Sequence, residues 1–215
     1  MASVDNNGGI IMGLIGIGKS VSLKQLREHL QKQGEQVYTC AYTHAVARLV
    51  GGMTVARLLH YEERLHGAWI LVDEISLLPI DTIGMLARFL MVGARFVCFG
   101  DFDGQFEAMK DRWDTPYSQV QESECLRDMC KSMHAHLYTN WRSKDTPEHF
   151  EFYTSLYNES DEELPFLVEK AHNLYPVLTM DIDIVICVSH ANRMIINRRN
   201  NDHEAMMYEA AGGST

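Results

Sequence analysis

The octapeptide GLIGIGKS, residues 13–20, places Gly13, Gly16 and Gly18 ahead of Lys19 and Ser20, a pattern suited to gripping the phosphates of a nucleotide. Glycines permit positive φ and leave backbone N–H groups bare, so such a loop forms a concave anion nest at a helix N-terminus. Lys19 would reach the β- and γ-phosphates, and the Ser20 hydroxyl would take one position on Mg²⁺. A carboxylate must share that metal, normally from the end of a neighbouring buried strand. AWILVDEIS supplies Asp73 at the end of an apolar run, followed by Glu74, placed to orient and deprotonate an attacking water. ATP and Mg²⁺ are thus the predicted ligands, with hydrolysis favoured over storage, because storage has no use for Glu74. Downstream, GDFDGQF offers Gln105 as a sensor of the γ-phosphate, and LYTNWRS offers Arg142 as a charge for the transferring phosphoryl group.

These residues need a scaffold that brings loop and acids to one edge. GGIIMGL reads as a short buried strand feeding the glycine loop, and Lys19 to Gln33 carries apolar residues at helical spacing until Gly34 stops it. QVYTCAY is strand-like, THAVARLV helical, and MTVARLLHYEERL a second helical piece after the Gly51-Gly52 break. AWILVDE and ARFVCFGD are continuous apolar strands separated by the helix IDTIGMLARFLM, and their ends are expected side by side. Strand, helix, strand at these spacings predicts an α/β fold with a parallel sheet flanked by helices. Further on, a helix near Glu122 to Ser132, a strand in MHAHLYT, acidic helical pieces between Pro147 and His172, and a strand DIVICVS followed by the helix HANRMIINRRNN complete the reading, with NDHEAMMYEAAGGST as a polar tail.

The bulk numbers set bounds. The 215 residues are 46% hydrophobic, enough for one packed domain or one plus part of a second. No run is long enough to span a membrane and no basic-then-apolar leader opens the chain, so a soluble, intracellular protein, cytoplasmic or nuclear, is expected. Five cysteines, three in strand-like segments, suit reduced buried thiols. The formal charge of -10 is uneven: residues 1–60 hold six Lys or Arg against three acids, whereas 145–169 hold eight acids and no Lys or Arg. Any polyanion belongs near the N-terminal half. His134 and His136 would share one face of a strand, but no third ligand at metal spacing accompanies them. Trp69 and Trp113 read as packing residues, and Trp141, beside Arg142, as one that could abut a base.

Taken in order, GLIGIGKS, CAYTHAVARLVGGMT, VDEIS, GDFDGQF and YTNWRS resemble motifs I, Ia, II, III and IV of superfamily 1 DNA helicases, above all the RecD-like 5′-to-3′ branch and its relatives in large DNA viruses. The resemblance covers roughly residues 10 to 145, and VICVSHANRMIIN resembles the opening of the second motor domain. It implies a P-loop NTPase (RecA-like) motor domain over 1–145, an acidic helical connection with the start of a second motor domain over 146–215, and a place at a viral replication site among the possible locations. It also implies ATP and Mg²⁺ as cofactors, Lys19, Glu74, Gln105 and Arg142 as catalytic residues, Gly13, Gly16, Gly18, Lys19 and Ser20 as nucleotide ligands, and Ser20 with Asp73 at the metal. Single-stranded DNA is the implied partner, met by Thr43 and His44, with Arg48, Arg57 and Thr54 near the path. Tyr42 has two readings, a base-stacking platform or a strand-end tyrosine packed in the core.

Several family features differ here. The Thr-Ile-His that often follows the Gly-Gly turn is Thr54-Val55-Ala56, no proline pair follows Gln105, no glutamine precedes the loop to clasp adenine, and motifs V and VI do not occur. The expectation is therefore that this chain alone binds nucleotide, hydrolyses it slowly or not at all, and leaves duplex unopened until further polypeptide completes the second motor domain. Two rival functions share the loop: a nucleoside or nucleotide kinase, and a degenerate motor retained as a binding module.

Overall fold

Continuous apolar runs bounded by turns become buried parallel strands when helices cover both faces, and the computed structural model follows that rule. It describes residues 8–102, 115–131, 133–155, 163–174 and 190–210. The strands are β1 (Gly9–Met12), β2 (Val37–Ala41), β3 (Met53–Thr54), β4 (Trp69–Asp73), β5 (Arg95–Gly100) and β6 (His134–His136). All pair in parallel, in the order β3-β2-β4-β5-β1-β6. The helices are α1 (Lys19–Lys32), α2 (His44–Leu49), α3 (Val55–Leu58), α4 (Ile80–Ala87), α5 (Tyr117–Gln121), α6 (Glu124–Met129), α7 (Pro147–Ser155), α8 (Leu164–Leu174) and α9 (His190–Ala210).

Alternation along the central strands splits the core into two layers. Trp69 and Leu71 of β4, with Val97 and Phe99 of β5, meet Leu23 and Leu30 of α1 on one face. Ile70, Val72, Phe96 and Cys98 point the other way, toward Leu58 of α3, Ile83 and Leu86 of α4, and Met129 of α6. Trp69 is a packing residue, as expected, 3% exposed with the Arg95 guanidinium 4.3 Å from its ring centre. The described cysteines Cys40, Cys98, Cys125 and Cys130 are free thiols, all buried except the half-buried Cys125.

The differences from the sequence reading are local. Met53 and Thr54, expected at the start of a helix, instead pair with Cys40 and Ala41 as an edge strand, and α3 begins only at Val55. The α4 pattern relaxes into a 3-10 turn over Arg88–Val92 before Gly93 ends it at φ 76. The predicted C-terminal helix runs on to Ala210 through much of the expected polar tail, because that tail is rich in Glu, Ala and Met and holds no Gly or Pro before Gly212. DIVICVS and Trp113 lie outside the described residues. Contacts divide the chain into two units, residues 1–159 and 160–215, the second holding α8 and α9. No helix among the described residues is long and apolar enough to cross a membrane.

Candidate nucleotide site

The site grows from the C-terminal ends of the strands, where ligands of open α/β sheets collect. β1 ends at Met12, and the loop that follows turns through Gly13, Gly16 and Gly18 at φ 148, 83 and 95 before α1 starts at Lys19. Two of these glycines are required by close approach as well as by φ. A Cβ on Gly13 would lie 2.7 Å from the Leu137 carbonyl oxygen, and one on Gly16 would lie 2.9 Å from Cβ of Arg142. At Gly16 the reason is a backbone clasp: the amides of Trp141 and Arg142 both donate to the Gly16 carbonyl, at 3.0 and 3.1 Å. The YTNWRS segment is thereby pinned onto the glycine loop.

Lys19 is 8% exposed and donates to the carbonyls of Gly13 and Leu14, the latter at 2.9 Å. Burial pushes its pKa down, and the neighbouring Asp101, Asp73 and Glu74 carboxylates oppose that shift. Ser20 Oγ donates to Asp73 Oδ2 at 3.0 Å, while Asp73 Oδ1 accepts the Glu74 amide at 3.1 Å. Asp73 is 1% exposed, and burial raises its carboxyl pKa against the hydrogen bonds from Ser20 and Glu74 and the charge of Lys19. The acid-bearing strand is not the direct neighbour of the loop-bearing one that the sequence reading expects: β5 stands between β1 and β4 in the sheet. The first turn of α1 spans that gap, so loop and acid still meet.

Glu74 has φ 53 and ψ 48, the one non-glycine residue with positive φ among the described residues. That conformation costs about 1–2 kcal/mol. Full burial of the next residue, Ile75, is worth about 1.5–3 kcal/mol, enough to hold the turn. Strain of this kind collects at functional positions. Burial first, then the Asp73 charge, raises the Glu74 pKa. Together Ile15, Lys19, Ser20, Glu74, Trp141 and Arg142 line a cleft of about 420 Å³, the size range of small-ligand sites.

Two contributors escaped the sequence reading. Asp101, 1% exposed at the end of β5, is the strongest charge acting on Lys19, and its amide donates to the fully buried Ser76 hydroxyl at 3.2 Å. Their signal was present: an acid directly after the apolar run of β5, and a serine two residues past Glu74. Gln105 lies outside the described residues. Of the residues assigned to a nucleic-acid path, Thr43, His44 and Arg48 are exposed at α2, where Thr43 caps the helix by accepting the Val46 amide at 3.3 Å. Thr54 is instead 8% exposed, with its hydroxyl capping α3 through the Arg57 amide. Tyr42 is half-buried, with part of its ring packed against the main core.

Ser20 Oγ and the Asp73 carboxylate are adjacent hard oxygen donors, the set that Mg²⁺ takes, so these residues fit that ion.

The family model described as AAA domain matches residues 2–164. The chain belongs to the AAA domain family. No curated protein matches this AAA domain chain. Among solved structures, Pif1 helicase from Candida albicans is similar at a TM-score of 0.72 and 18% identity, over 92% of this chain and 51% of that one. Pif1 helicase from Bacteroides in complex with ADP-AlF3 and ssDNA is similar at a TM-score of 0.65 and 21% identity, over 92% of this chain and 54% of that one. Bacteroides Pif1 bound to ssDNA gives 0.64 and 20%, over 89% and 52%. The AAA domain chain thus spans about half the length of these structures and shares their fold, a RecA-like P-loop NTPase sheet.

Proposed function

We propose that this chain is the ATP-binding motor domain of a superfamily 1 DNA helicase, working by coupling ATP hydrolysis to translocation on single-stranded DNA and to duplex unwinding. The observation that carries the reading is the convergence of Lys19, Ser20, Asp73 and Glu74 in the cleft where Arg142 is clasped to the glycine loop. A simple binding module would have no need for a strained, desolvated glutamate beside a buried acid. Support for the nucleic-acid half comes from the exposed Thr43, His44 and Arg48 at α2 and from the shared fold with Pif1 structures solved with ssDNA.

In this reading the bare loop amides and Lys19 hold the phosphates, and Ser20 with Asp73 holds Mg²⁺, whose charge would offset that building on the β- and γ-phosphate oxygens. Glu74, held pointing by its left-handed backbone, takes the proton of the attacking water. Gln105 senses the γ-phosphate. Arg142 acts in cis as the arginine finger, its position fixed by the Gly16 clasp. Translocation further requires a second motor region to close on this one.

Turnover of ATP by this chain, with and without single-stranded DNA, tests the reading. DNA-stimulated release of phosphate is expected, at a slow rate in this chain alone; ADP release that depends on an added nucleoside would establish a kinase, and neither response a binding module. Arg142→Ala is expected to leave the affinity for a fluorescent ATP analogue within about threefold while lowering turnover at least about a hundredfold, on the order of the smallest losses seen when transition-state charge partners are removed. Full turnover in that variant removes the finger role.

A further inference from the structure

Outside the nucleotide cleft, one side chain joins the two elements that the proposed function assigns to different ligands. Arg27 lies on α1, eight residues beyond Lys19 and about 12 Å along the helix. Its guanidinium Nη1 donates to the Val50 carbonyl at 2.7 Å and to the Gly51 carbonyl at 3.3 Å. Those carbonyls close α2, the helix whose other end presents Thr43 and His44. A cation at a helix C-terminus is favoured by the carbonyls left unpaired there.

We propose that Arg27 is the positioning residue that links nucleotide binding to nucleic-acid binding, by fixing α2 to the helix that begins at the phosphate loop. The geometry at the end of α2 is that of a hinge held shut. Gly51 turns at φ 66, and a Cβ there would stand 2.9 Å from Arg27 Nη1, so the guanidinium sits directly over the turning residue. Gly52, beside it, packs against the Thr39 backbone of β2 so closely that no Cβ could be accommodated. One side of the hinge is thus anchored to the sheet and the other to α1. Because α2 is six residues, about 9 Å long, a displacement at Val50 is carried to Thr43 at the opposite end with little loss. Closure of the glycine loop on phosphate moves α1, α1 moves Arg27, and Arg27 sets the tilt of α2.

This inference rests on the DNA reading above, and the experiment separates the two. Binding of a fluorescein-labelled oligothymidylate is measured by anisotropy on the full chain, with and without a slowly hydrolysed ATP analogue. The wild type is expected to show a nucleotide-dependent change in DNA affinity of about 5–150-fold, the ordinary range of coupling between two sites. Arg27→Met keeps the aliphatic stem but no donor, and is expected to bring that ratio to within about twofold of one, while affinity for the ATP analogue alone changes less than about threefold. Arg27→Lys retains a cationic donor for the two carbonyls and is expected to keep most of the ratio, a rescue that a purely packing role would not produce. If both variants retain the wild-type ratio, Arg27 is not the link and the DNA reading stands. If the wild type itself binds no DNA, the helicase reading falls and the coupling falls with it.

Discussion

Alanine at position 19 is expected to weaken ATP binding at least about a hundredfold while leaving the protein folded. The ammonium of Lys19 lies in the cleft among the carboxylates of Asp101, Asp73 and Glu74. Binding a triphosphate there without it would set the anion against those carboxylates with no ammonium between. Two charge-assisted hydrogen bonds to phosphate oxygens, at about 1.5–3 kcal/mol each, give the hundredfold as the lower limit. The effect on stability is smaller because two terms oppose. Removing the lysine deprives the Gly13 and Leu14 carbonyls of their donor, at about 1–3 kcal/mol, but it also relieves the burial of a charge that the surroundings already disfavour. A domain stable by about 5–15 kcal/mol survives that loss. Titration with a fluorescent ATP analogue and a calorimetric melting curve read the two effects separately. Unchanged affinity in a folded Lys19→Ala protein would end the assignment of GLIGIGKS to phosphate.

What could be read from residues alone was decided by whether a signal is local. The loop, the two central strands and α1 announced themselves because apolar periodicity and glycine spacing belong to short windows. The lateral order of the sheet does not. Nothing in ARFVCFGD says that β5 will insert between β1 and β4, since strand order is chosen by crossover handedness and by what the helices must cover. β3 was missed because two residues carry no period. The left-handed backbone of Glu74 is equally silent in sequence, glutamate being a residue that seldom adopts it, and only the anchoring of Ile75 and Ser76 makes it tenable. Arg142 stands out in the sequence for its charge, yet what holds it in place is a pair of backbone amides on the Gly16 carbonyl, an interaction to which its side chain contributes nothing.

Glu74→Gln is the second large effect, and here activity and stability are expected to move in opposite directions. Glutamine keeps the size of the side chain but cannot accept the water's proton, so turnover is expected to fall by about 10²–10⁴-fold, with ATP affinity little altered. The wild-type glutamate has its pKa raised in the folded state by burial and by Asp73. A carboxyl whose folded pKa exceeds its unfolded value contributes stability that is fully present below the unfolded pKa and is lost as pH rises through the folded one. Near neutral pH, then, the ionised Glu74 weighs against the fold, and the Glu74→Gln protein is expected to melt at a higher temperature than wild type. The gap should close as pH falls below the ordinary glutamate range, where the wild-type side chain is protonated and equally neutral. Because the base works only when ionised, phosphate release by the wild type is expected to fall as pH drops through the range in which Glu74 takes up its proton. Melting curves of both proteins across pH, with phosphate release from the wild type over the same series, decide the matter. A Glu74→Gln protein that turns over normally excludes Glu74 as the base, and one that melts lower than wild type at neutral pH shows that hydrogen bonds to the carboxylate, rather than its desolvation, dominate at the strained turn.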